Sequence, residues 1–429
     1  MSLRRKEIVA WSLYDFANSA FTTLVVTFIF SNYFTNVVAS DATRGTILWS
    51  RAVNASAVIV ALLMPFLGAV ADYSGRKKLF LGVCTAICSS ATIFLFFARP
   101  GTEVSALIFF VIANIGYEAS YVFYNAFLPE ISTKETIGRV SGFGQGLGYI
   151  GGLLCLLIAL GMVSGWISSE DHFAIRATNI LVAAWFVLFS IPTFLFLEER
   201  RPEGRHSILQ ATRAAFGRLA DTGRQFRRYR EAAKLLVARM IYNDGLVTVF
   251  SFASIFAGAV FGMGTGELIK MGLVLNVVSG IGSWALGPLN DRIGGKKTIT
   301  ITLIALIVAT LLGASAKTVG TFWVAAIILG LMIGPNQAAS RGLLGVFVPA
   351  KKHGEFFGFF AFSGRLASVL GPFAYGTVLQ ITHSQRWAMA SIGVFFVAGL
   401  ALLAPIDEKK GIELGADAEP DSVSDVHAS

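Results

Sequence analysis

The sequence reads Gly68-Ala-Val-Ala-Asp72-Tyr-Ser-Gly75-Arg76-Lys77-Lys78 between two long apolar runs, and the pattern returns half a chain later as Gly287-Pro-Leu-Asn-Asp291-Arg-Ile-Gly294-Gly-Lys296-Lys297. The two copies share both glycines, the aspartate and the lysine pair. A glycine beside basic residues permits a tight turn, so each copy is predicted to form a short loop between two membrane helices. The repeat therefore indicates a chain built from two related membrane halves.

The composition places the chain in a bilayer. Of its 429 residues, 55% are hydrophobic and only 14% are charged, a balance too apolar for a water-soluble protein of this length. The net charge of +9 is spread over short loops, whereas a nucleic-acid partner needs a clustered basic face. We therefore predict an integral, multi-pass membrane protein with no nucleic-acid partner.

The sequence predicts no cofactor and no metal site. Cys84, Cys88 and Cys155 lie inside apolar runs without neighbouring histidines or acids, as packing residues do. The letters GLGYIG from Gly146 to Gly151 match a dinucleotide fingerprint, but they follow no strand and lie within an apolar run, which favours close helix packing. Because the chain also lacks a pattern of nucleophile and base, we do not expect an enzyme.

Apolar segments of about 20 residues or more, long enough to cross a bilayer, recur along the chain. We place twelve of them near residues 8–38, 46–70, 79–98, 104–128, 140–164, 174–197, 235–262, 267–289, 298–316, 320–344, 356–380 and 386–404. The predicted fold is an all-α membrane protein with twelve transmembrane helices in two pseudo-symmetric six-helix bundles. These bundles occupy residues 1–197 and 235–404.

The loops between the segments differ in charge. Most of the 35 Lys and Arg residues fall at the N-terminus, in the loops after even-numbered segments and in the tail. Because cytoplasmic loops carry the excess of these residues, both termini are predicted to be cytoplasmic. Residues 405–429 are polar and acid-rich without periodicity, and we predict a disordered tail there.

A basic linker, 198–234, joins the two bundles. If the linker is helical, one face carries Leu209, Thr212, Phe216 and Leu219. Its other faces carry Arg213, Arg218 and Arg224. This arrangement is typical of a helix that lies on an anionic inner leaflet. A solvated linker whose charges only fix the topology is an equally good interpretation.

Charged residues inside the apolar segments are the candidates for function. Each costs roughly 2.5 kcal/mol or more at mid-membrane, so each should face a partner or a wet cavity. In the fourth segment one helical stripe carries Asn114, Glu118, Tyr121 and Asn125, with Glu118 near its middle. We predict that this stripe lines a central cavity.

Other polar and charged residues lie in four further segments. They are Asp15 and Asn18 in the first, Arg239, Asn243 and Asp244 in the seventh, Gln337 and Arg341 in the tenth, and Arg365 in the eleventh. The sequence does not pair the acids with the arginines, and ion pairs that only fix helix orientation are a second interpretation. Since the five histidines fall in predicted loops or the tail, a proton path would have to use carboxylates, with Glu118 first and Asp15 second.

The repeated loop is predicted to act as a gate latch. Asp72 ends the second helix, and Arg76 and Lys77 stay on the cytoplasmic side, where they can reach helix C-terminal carbonyls or acids of neighbouring helices. Such contacts form when the cytoplasmic side is closed and break when it opens. The other members of this predicted latch are Gly68, Gly75, Gly287, Asp291, Gly294 and Lys296.

These motifs point to a family. The paired loops and the two groups of six segments resemble the major facilitator superfamily over about residues 8–404. Within it, the vacuole-effluxer branch of autophagy-related amino-acid exporters is similar in WSLYDFANSAF from Trp11, YEASYVFYNAFLPEIS from Tyr117, YNDG from Tyr242 and SRGLLGVFVPAKKHGEFFGFF from Ser340. The resemblance implies two bundles that rock around a central site and export small molecules, with amino acids as the leading class. Segment five lacks the proline of the superfamily's antiporter motif, so the resemblance does not carry proton antiport over to this chain.

The resemblance thus implies a secondary transporter that works by alternating access. We expect a bacterial inner membrane, because the chain lacks the long extra loops of a fungal vacuolar member. We also expect a monomer, with a small solute and membrane lipid as its partners. Glu118 and Asp15 are expected to couple to protons or bind the solute's cation, and Arg341 to bind a carboxylate. Two alternatives stay open: a larger solute such as a cell-wall fragment, sugar or drug, and a receptor or scaffold that does not transport.

Overall fold

Helices form nearly all of the chain that the structure, a computed structural model, describes: residues 3–168, 170–199, 209–215, 217, 228–366 and 370–416. Within these residues twelve helices are long and apolar enough to cross a membrane, as the sequence predicts. The N-terminal half comprises α1 Arg4–Val38, α2 Thr43–Ser74, α3 Lys77–Phe97, α4 Glu103–Ile131, α5 Ile137–Trp166 and α6 Glu170–Phe196. The C-terminal half comprises α7 Arg230–Phe261, α8 Gly266–Ile293, α9 Gly295–Ser315, α10 Val319–Phe347, α11 Ala350–Thr382 and α12 Gln385–Leu403. The described helices of α11 are His353–Leu366 and Leu370–Thr382.

The two halves meet along two helix pairs that the repeat relates to each other. α2 packs against α11, and α5 packs against α8. A Cβ on Gly68 would collide with the carbonyl of Gly354, and a Cβ on Gly142 would collide with the carbonyl of Ser283. These glycines therefore allow the backbones of the two halves to touch, which explains why the sequence places small residues there.

Both repeated loops lie on one face of the helical body, which we call the motif face. Gly75 ends α2 with φ 61°, and Gly294 lies between α8 and α9 with φ 93°. Both values are in the left-handed region, so each turn requires the second glycine of the pattern. The helical region begins at Arg4 and ends at Leu403. Because successive helices cross in opposite directions and α2 ends at the motif face, α1 starts there and α12 ends there as well.

The first span, α1, changes its helical pitch along its length. It is α-helical over Leu3–Ala20, π-helical over Phe21–Phe28, α-helical over Phe30–Tyr33 and π-helical over Phe34–Val38. π-Helical turns are rare and occur frequently at functional sites. The apolar pattern predicts one continuous helix here and contains no signal for the change of pitch.

Several helix ends lie beyond the predicted segments, among them the C-terminal ends of α2 and α4. α2 extends to Ser74, where residues of the other half provide hydrogen-bond partners for Asp72. Pro129, the residue after the predicted end of the fourth segment at 128, lies inside α4, which continues to Ile131. The polar side chain of Asp72 is thus accommodated by its contacts with the other half, and neither Asp72 nor Pro129 ends its helix.

The chain after α12 forms a further helix, which corrects the predicted disordered tail. This helix is α13, Glu408–Ala416, and residues 417–429 lie outside the described residues. The Glu408 carboxylate accepts hydrogen bonds from the backbone N–H groups of Gly295 (2.7 Å) and Lys296 (3.3 Å) at the start of α9. Because an acid at a helix N-terminus is stabilising, a tertiary contact orders a segment that its composition marks as solvent-exposed.

Part of the predicted linker is described. Residues 209–215 are helical, and Ala211 and Ala215 pack against α2. Leu209, from the predicted membrane-facing stripe, is exposed. Outside the described residues lie Phe216, Arg218, Leu219 and Arg224. The interfacial helix therefore stays a prediction.

Candidate functional site

A cavity of about 440 Å³ lies between the two halves, and we call it the central cavity. Its lining extends along α1 from Asp15 to Phe28 and along α7 from Arg239 to Ser251. Both helices start at the motif face, so the cavity occupies the part of the interface beyond the repeated loops. Most of the predicted solute and proton residues line it: Asp15, Glu118, Tyr121, Arg239, Gln337, Arg341 and Arg365.

Arg341 of α10 joins the two halves. Its Nη1 lies 3.4 Å from Asp15 Oδ2 and donates to the Tyr121 hydroxyl (3.3 Å) and to Asn125 Oδ1 (3.3 Å). Its Nε donates to Ser141 Oγ (2.7 Å), and its Nη2 donates to the Ser141 carbonyl (2.6 Å). Each nitrogen of this guanidinium, which is 1% exposed, is therefore occupied by a residue of the N-terminal half.

A second ion pair crosses the central cavity. Arg365 of α11 contacts Glu118 of α4. Glu118 is buried and lies on the polar stripe that the sequence predicts to face the cavity. The two acids that the sequence favours for proton transfer, Glu118 and Asp15, are thus each paired with an arginine of the opposite half.

Arg239 of α7 has different surroundings from the other two arginines. Its Nη1 donates to the Phe360 carbonyl (2.9 Å) and to Ser363 Oγ (3.2 Å). Its guanidinium lies over the Phe360 ring, 3.4 Å from the ring centroid. Among the described residues no carboxylate forms a salt bridge with Arg239. The side chain lines the central cavity and is partly exposed there.

Asn114 and Asn125 of the predicted stripe lie outside the cavity lining, and the Asn114 side-chain nitrogen donates to Ser56 Oγ of α2 (2.7 Å). Three further predicted residues also lie outside it. Asp244 accepts a hydrogen bond from the backbone N–H of Gly371 (2.9 Å), a contact between α7 and α11. Asn18 and Asn243 are buried. Neither the side-chain nitrogen nor the oxygen of Asn18 has a hydrogen-bond partner in the described part of the chain. These residues lie in the helices around the cavity and do not face its space.

Sequence reasoning missed three residues of α5. Gln145 lines the cavity and donates to Gln337 Oε1 across the two halves (3.3 Å), and Tyr149 lines the cavity one turn later. Ser141, one turn earlier, holds Arg341. Tyr149 lies in the run from Gly146 to Gly151 that the sequence predicts to be a packing surface, and Ser141 and Gln145 lie just before it. Their spacing of four residues places them on one helical face, and that spacing was the signal that could have found them.

At the motif face each repeated aspartate binds the start of a helix in the other half. Asp72 accepts hydrogen bonds from the N–H groups of residues 354–355 in α11 (3.0 and 2.9 Å). Asp291 accepts hydrogen bonds from the N–H groups of residues 138–139 in α5 (2.7 and 3.2 Å), and Arg139 Nε lies 3.1 Å from its carboxylate. A helix N-terminus offers unpaired N–H groups and the positive end of the helix dipole. We call these two equivalent contacts the paired latches.

The first lysine of the pattern lies between two acids. Lys77 Nζ is 3.1 Å from Asp72 and 2.8 Å from Glu130 of α4, and all three side chains are largely buried. Glu130 is a residue that the sequence analysis did not select. Arg76 is exposed, and its side chain forms no hydrogen bond or salt bridge with a residue that the structure describes.

Other lysines of the pattern bind the carbonyl ends of helices. Lys78 Nζ donates to the Leu197 carbonyl after α6 (2.7 Å). Lys296 Nζ donates to the carbonyls of Ala404 (2.8 Å) and Ile406 (2.6 Å) after α12. These contacts tie each loop to its own half, while the paired latches hold the halves together. The motif face is therefore closed, and the central cavity lies behind it.

Sequence comparison finds relatives along nearly the whole chain. The sequence profile of the family described as vacuole effluxer Atg22 like matches residues 47–415. The MFS-type transporter YxiO of Bacillus subtilis (strain 168) is 29% identical over 418 residues, which cover 95% of this chain and 96% of YxiO. Autophagy-related protein 22 of Yarrowia lipolytica is 25% identical over 332 residues, which cover 70% of this chain and 55% of that protein.

Solved structures share the fold. The human organic anion transporter MFSD10 is 14% identical and superimposes with a TM-score of 0.75. The superposition covers 94% of this chain and 100% of that one. The proton:xylose symporter XylE is 14% identical and superimposes with a TM-score of 0.72 over 97% of this chain and 98% of XylE. At such low identity the likeness concerns the fold alone. Since the family profile also spans most of the sequence, this chain belongs to the vacuole effluxer Atg22-like family and is a transporter of the major facilitator superfamily.

Proposed function

We propose that this protein exports amino acids or related small metabolites by alternating access, with its motif face toward the cytoplasm of a bacterium. The observation that carries the proposal is a charged central cavity behind a face that the paired latches close. The excess of Lys and Arg in the motif-face loops supports the orientation, and the full-length similarity to YxiO supports the bacterial membrane. The description of the family as a vacuole effluxer supports export. Because the cavity lies within one chain, a monomer is sufficient.

The paired latches supply the switch between two states. Asp72 and Asp291 hold N–H groups across the interface, so both contacts must break before the halves separate at the motif face. An acid at a helix N-terminus stabilises by about 0.3–2 kcal/mol. Contacts of this size can be reversed by the binding energy of a solute, as alternating access requires.

The two ion pairs connect the central cavity to this switch. Asp15–Arg341 and Glu118–Arg365 each join one half to the other, so both must rearrange when the halves rock. A proton or the solute's cationic group then competes with the arginines for the two acids. Arg341, to which the sequence assigns a carboxylate, is fully occupied in this state, and its role here is to lock the halves together.

Counterflow of amino acids tests the proposed function. The purified protein is placed in liposomes loaded with one unlabelled amino acid, and entry of the same labelled amino acid is measured. Entry that requires both the protein and the internal amino acid supports the proposal. Failure to exchange any of the common amino acids removes this substrate class.

The variant E118Q tests proton coupling. We expect it to keep solute counterflow and to lose solute-driven proton flux, because glutamine preserves the size of the side chain but does not titrate. The matched control is E103Q at the start of α4, where Glu103 pairs with Arg44 (3.3 Å). Proton flux that is unchanged in E118Q would remove Glu118 from the coupling mechanism.

One observation favours a second candidate, a larger solute such as a sugar or cell-wall fragment. Tyr117, Tyr121 and Tyr149 line the central cavity and offer aromatic faces on which sugar rings stack. The cavity volume of about 440 Å³ lies toward the small end of ligand pockets, roughly 300–1,000 Å³, which favours the smaller solute. Melting temperatures of the purified protein with sugars, muropeptides and amino acids discriminate between the two candidates.

A further inference from the structure

The central cavity carries a positive charge that the described chain does not neutralise. Its charged lining consists of Asp15, Glu118, Arg239, Arg341 and Arg365. Asp15 pairs with Arg341 and Glu118 pairs with Arg365, whereas Arg239 has no salt-bridge partner among the described residues. A charge within the membrane is costly unless it meets a counterion or a wet cavity. The excess positive charge therefore favours an anion that enters from outside the chain.

Two of the three arginines are poorly placed to receive that anion. Arg341 is almost fully buried, and each of its nitrogens already donates to the N-terminal half. Arg365 contacts Glu118, so an anion would first have to displace a carboxylate that is fixed to the protein. Binding at either site has to overcome the loss of an existing charge-assisted contact.

One edge of the Arg239 guanidinium has no hydrogen-bond partner among the described residues. Its Nη1 is held by the Phe360 carbonyl and Ser363 Oγ, and the face of the guanidinium rests on the Phe360 ring. Its Nε and Nη2 donate to no described residue. These two groups point from the same edge of the planar guanidinium, and such an edge matches the two oxygens of a carboxylate. The stacked ring and the Nη1 contacts fix the plane in advance, which lowers the entropy cost of binding.

We propose that the Nε–Nη2 edge of Arg239 binds the carboxylate of the transported solute. This inference rests on the proposed function for the identity of that solute as an amino acid or related metabolite. It makes Arg239 the residue that selects a carboxylate over a neutral group of the same shape. Arg341 and Arg365 do not receive the carboxylate, because Asp15 and Glu118 occupy them in this state.

The position of Arg239 also connects binding to the switch. The helix His353–Leu366 carries Phe360 and Ser363, which hold Arg239, and it also carries Arg365. Its first turn contains Gly354, whose N–H is held by Asp72 in one of the paired latches. An anion at Arg239 therefore acts on a side chain attached to the same helix that the latch holds.

Matched acids and amides test the carboxylate site. The probes are glycine, leucine, phenylalanine and lactate, each compared with its amide, and binding is measured as the concentration dependence of the melting temperature of the full-chain protein. A hydrogen-bonded charge pair implies that the acid binds about tenfold or more tighter than the amide. We expect that preference in the wild-type protein and expect R239Q to reduce it to about threefold or less.

Two further variants separate binding from folding. R239K keeps the charge but loses the planar edge, so an intermediate preference is expected. R386Q is the matched control, because Arg386 donates to the Ala314 carbonyl (2.8 Å) at the far end of α12 and does not line the cavity. R386Q should keep the full preference for the acid.

The inference would be overturned if the wild-type protein showed no acid preference in any of the pairs. It would also be overturned if R239Q kept the full acid preference. Acid preference for lactate alone, without binding of any amino acid, would leave the carboxylate site in place and remove amino acids as substrates. Amino-acid counterflow together with equal binding of acids and amides would keep amino acids as substrates and remove the carboxylate site at Arg239.

Discussion

The variant R341Q is expected to melt well below the wild-type protein and to show no solute counterflow. Arg341 is 1% exposed and Asp15 is 4% exposed, so the substitution leaves an acid buried without its cation. Removing one partner of a buried pair costs about 3–5 kcal/mol. The two hydrogen bonds to Ser141 are lost as well. The melting temperature in one detergent and counterflow in liposomes measure these two effects.

The double variant D15N/R341Q separates stability from transport. It leaves no unpaired charge at this position, so we expect it to recover part of the lost melting temperature and none of the counterflow. R386Q is a control that changes an arginine outside the cavity. A double variant that melts as low as R341Q, or an R341Q protein that melts like the wild type, would contradict the structural role of this pair.

The double variant D72N/D291N is expected to open the motif face. Asparagine keeps the size of each side chain but removes the negative charge that the facing helix N-terminus stabilises. At about 1–2 kcal/mol for each partly buried contact, losing both raises the ratio of open to closed protein by roughly thirtyfold or more. Each single variant should produce a smaller change, since the other latch still holds.

A buried cysteine reports this opening. Ala338 of α10 is 3% exposed, and its carbonyl accepts a hydrogen bond from Ser141 Oγ across the two halves (2.8 Å). A338C should therefore react slowly with a maleimide in the otherwise wild-type protein and much faster with D72N/D291N. D171N is the control, because Asp171 pairs with Arg99 away from the motif face (3.3 Å). Equal reaction rates in the two backgrounds would show that the latches do not hold this face closed.

The repeated loop explains why so much of the fold could be predicted. Membrane helices are defined by the length and composition of single segments, which the sequence displays directly. The matching positions of Asp72 and Asp291 then related the two halves and put both loops on one face. The kinds of contact that the lysines make, to acids and to helix carbonyl ends, also followed from their type and place.

The arrangement of the charged residues could not be predicted in the same way. Whether Arg341 meets Asp15 or Glu118 depends on how the two halves pack, and the sequence of one segment carries no information about its neighbour across the interface. Arg239 stood out only once the structure paired the other arginines. Glu408 was missed for the same reason, because it stabilises the tail helix through the N–H groups at the start of α9, which lie far from it in the sequence.

Distances measured at both faces of the protein test alternating access most directly. Spin labels at K134C and K351C report on the motif face, and labels at T43C and K317C report on the opposite face; these four positions are exposed. In liposomes, addition of solute should lengthen the motif-face distance and shorten the opposite one in the same molecules. Distances that stay unchanged, or that change in the same direction at both faces, would contradict transport by alternating access.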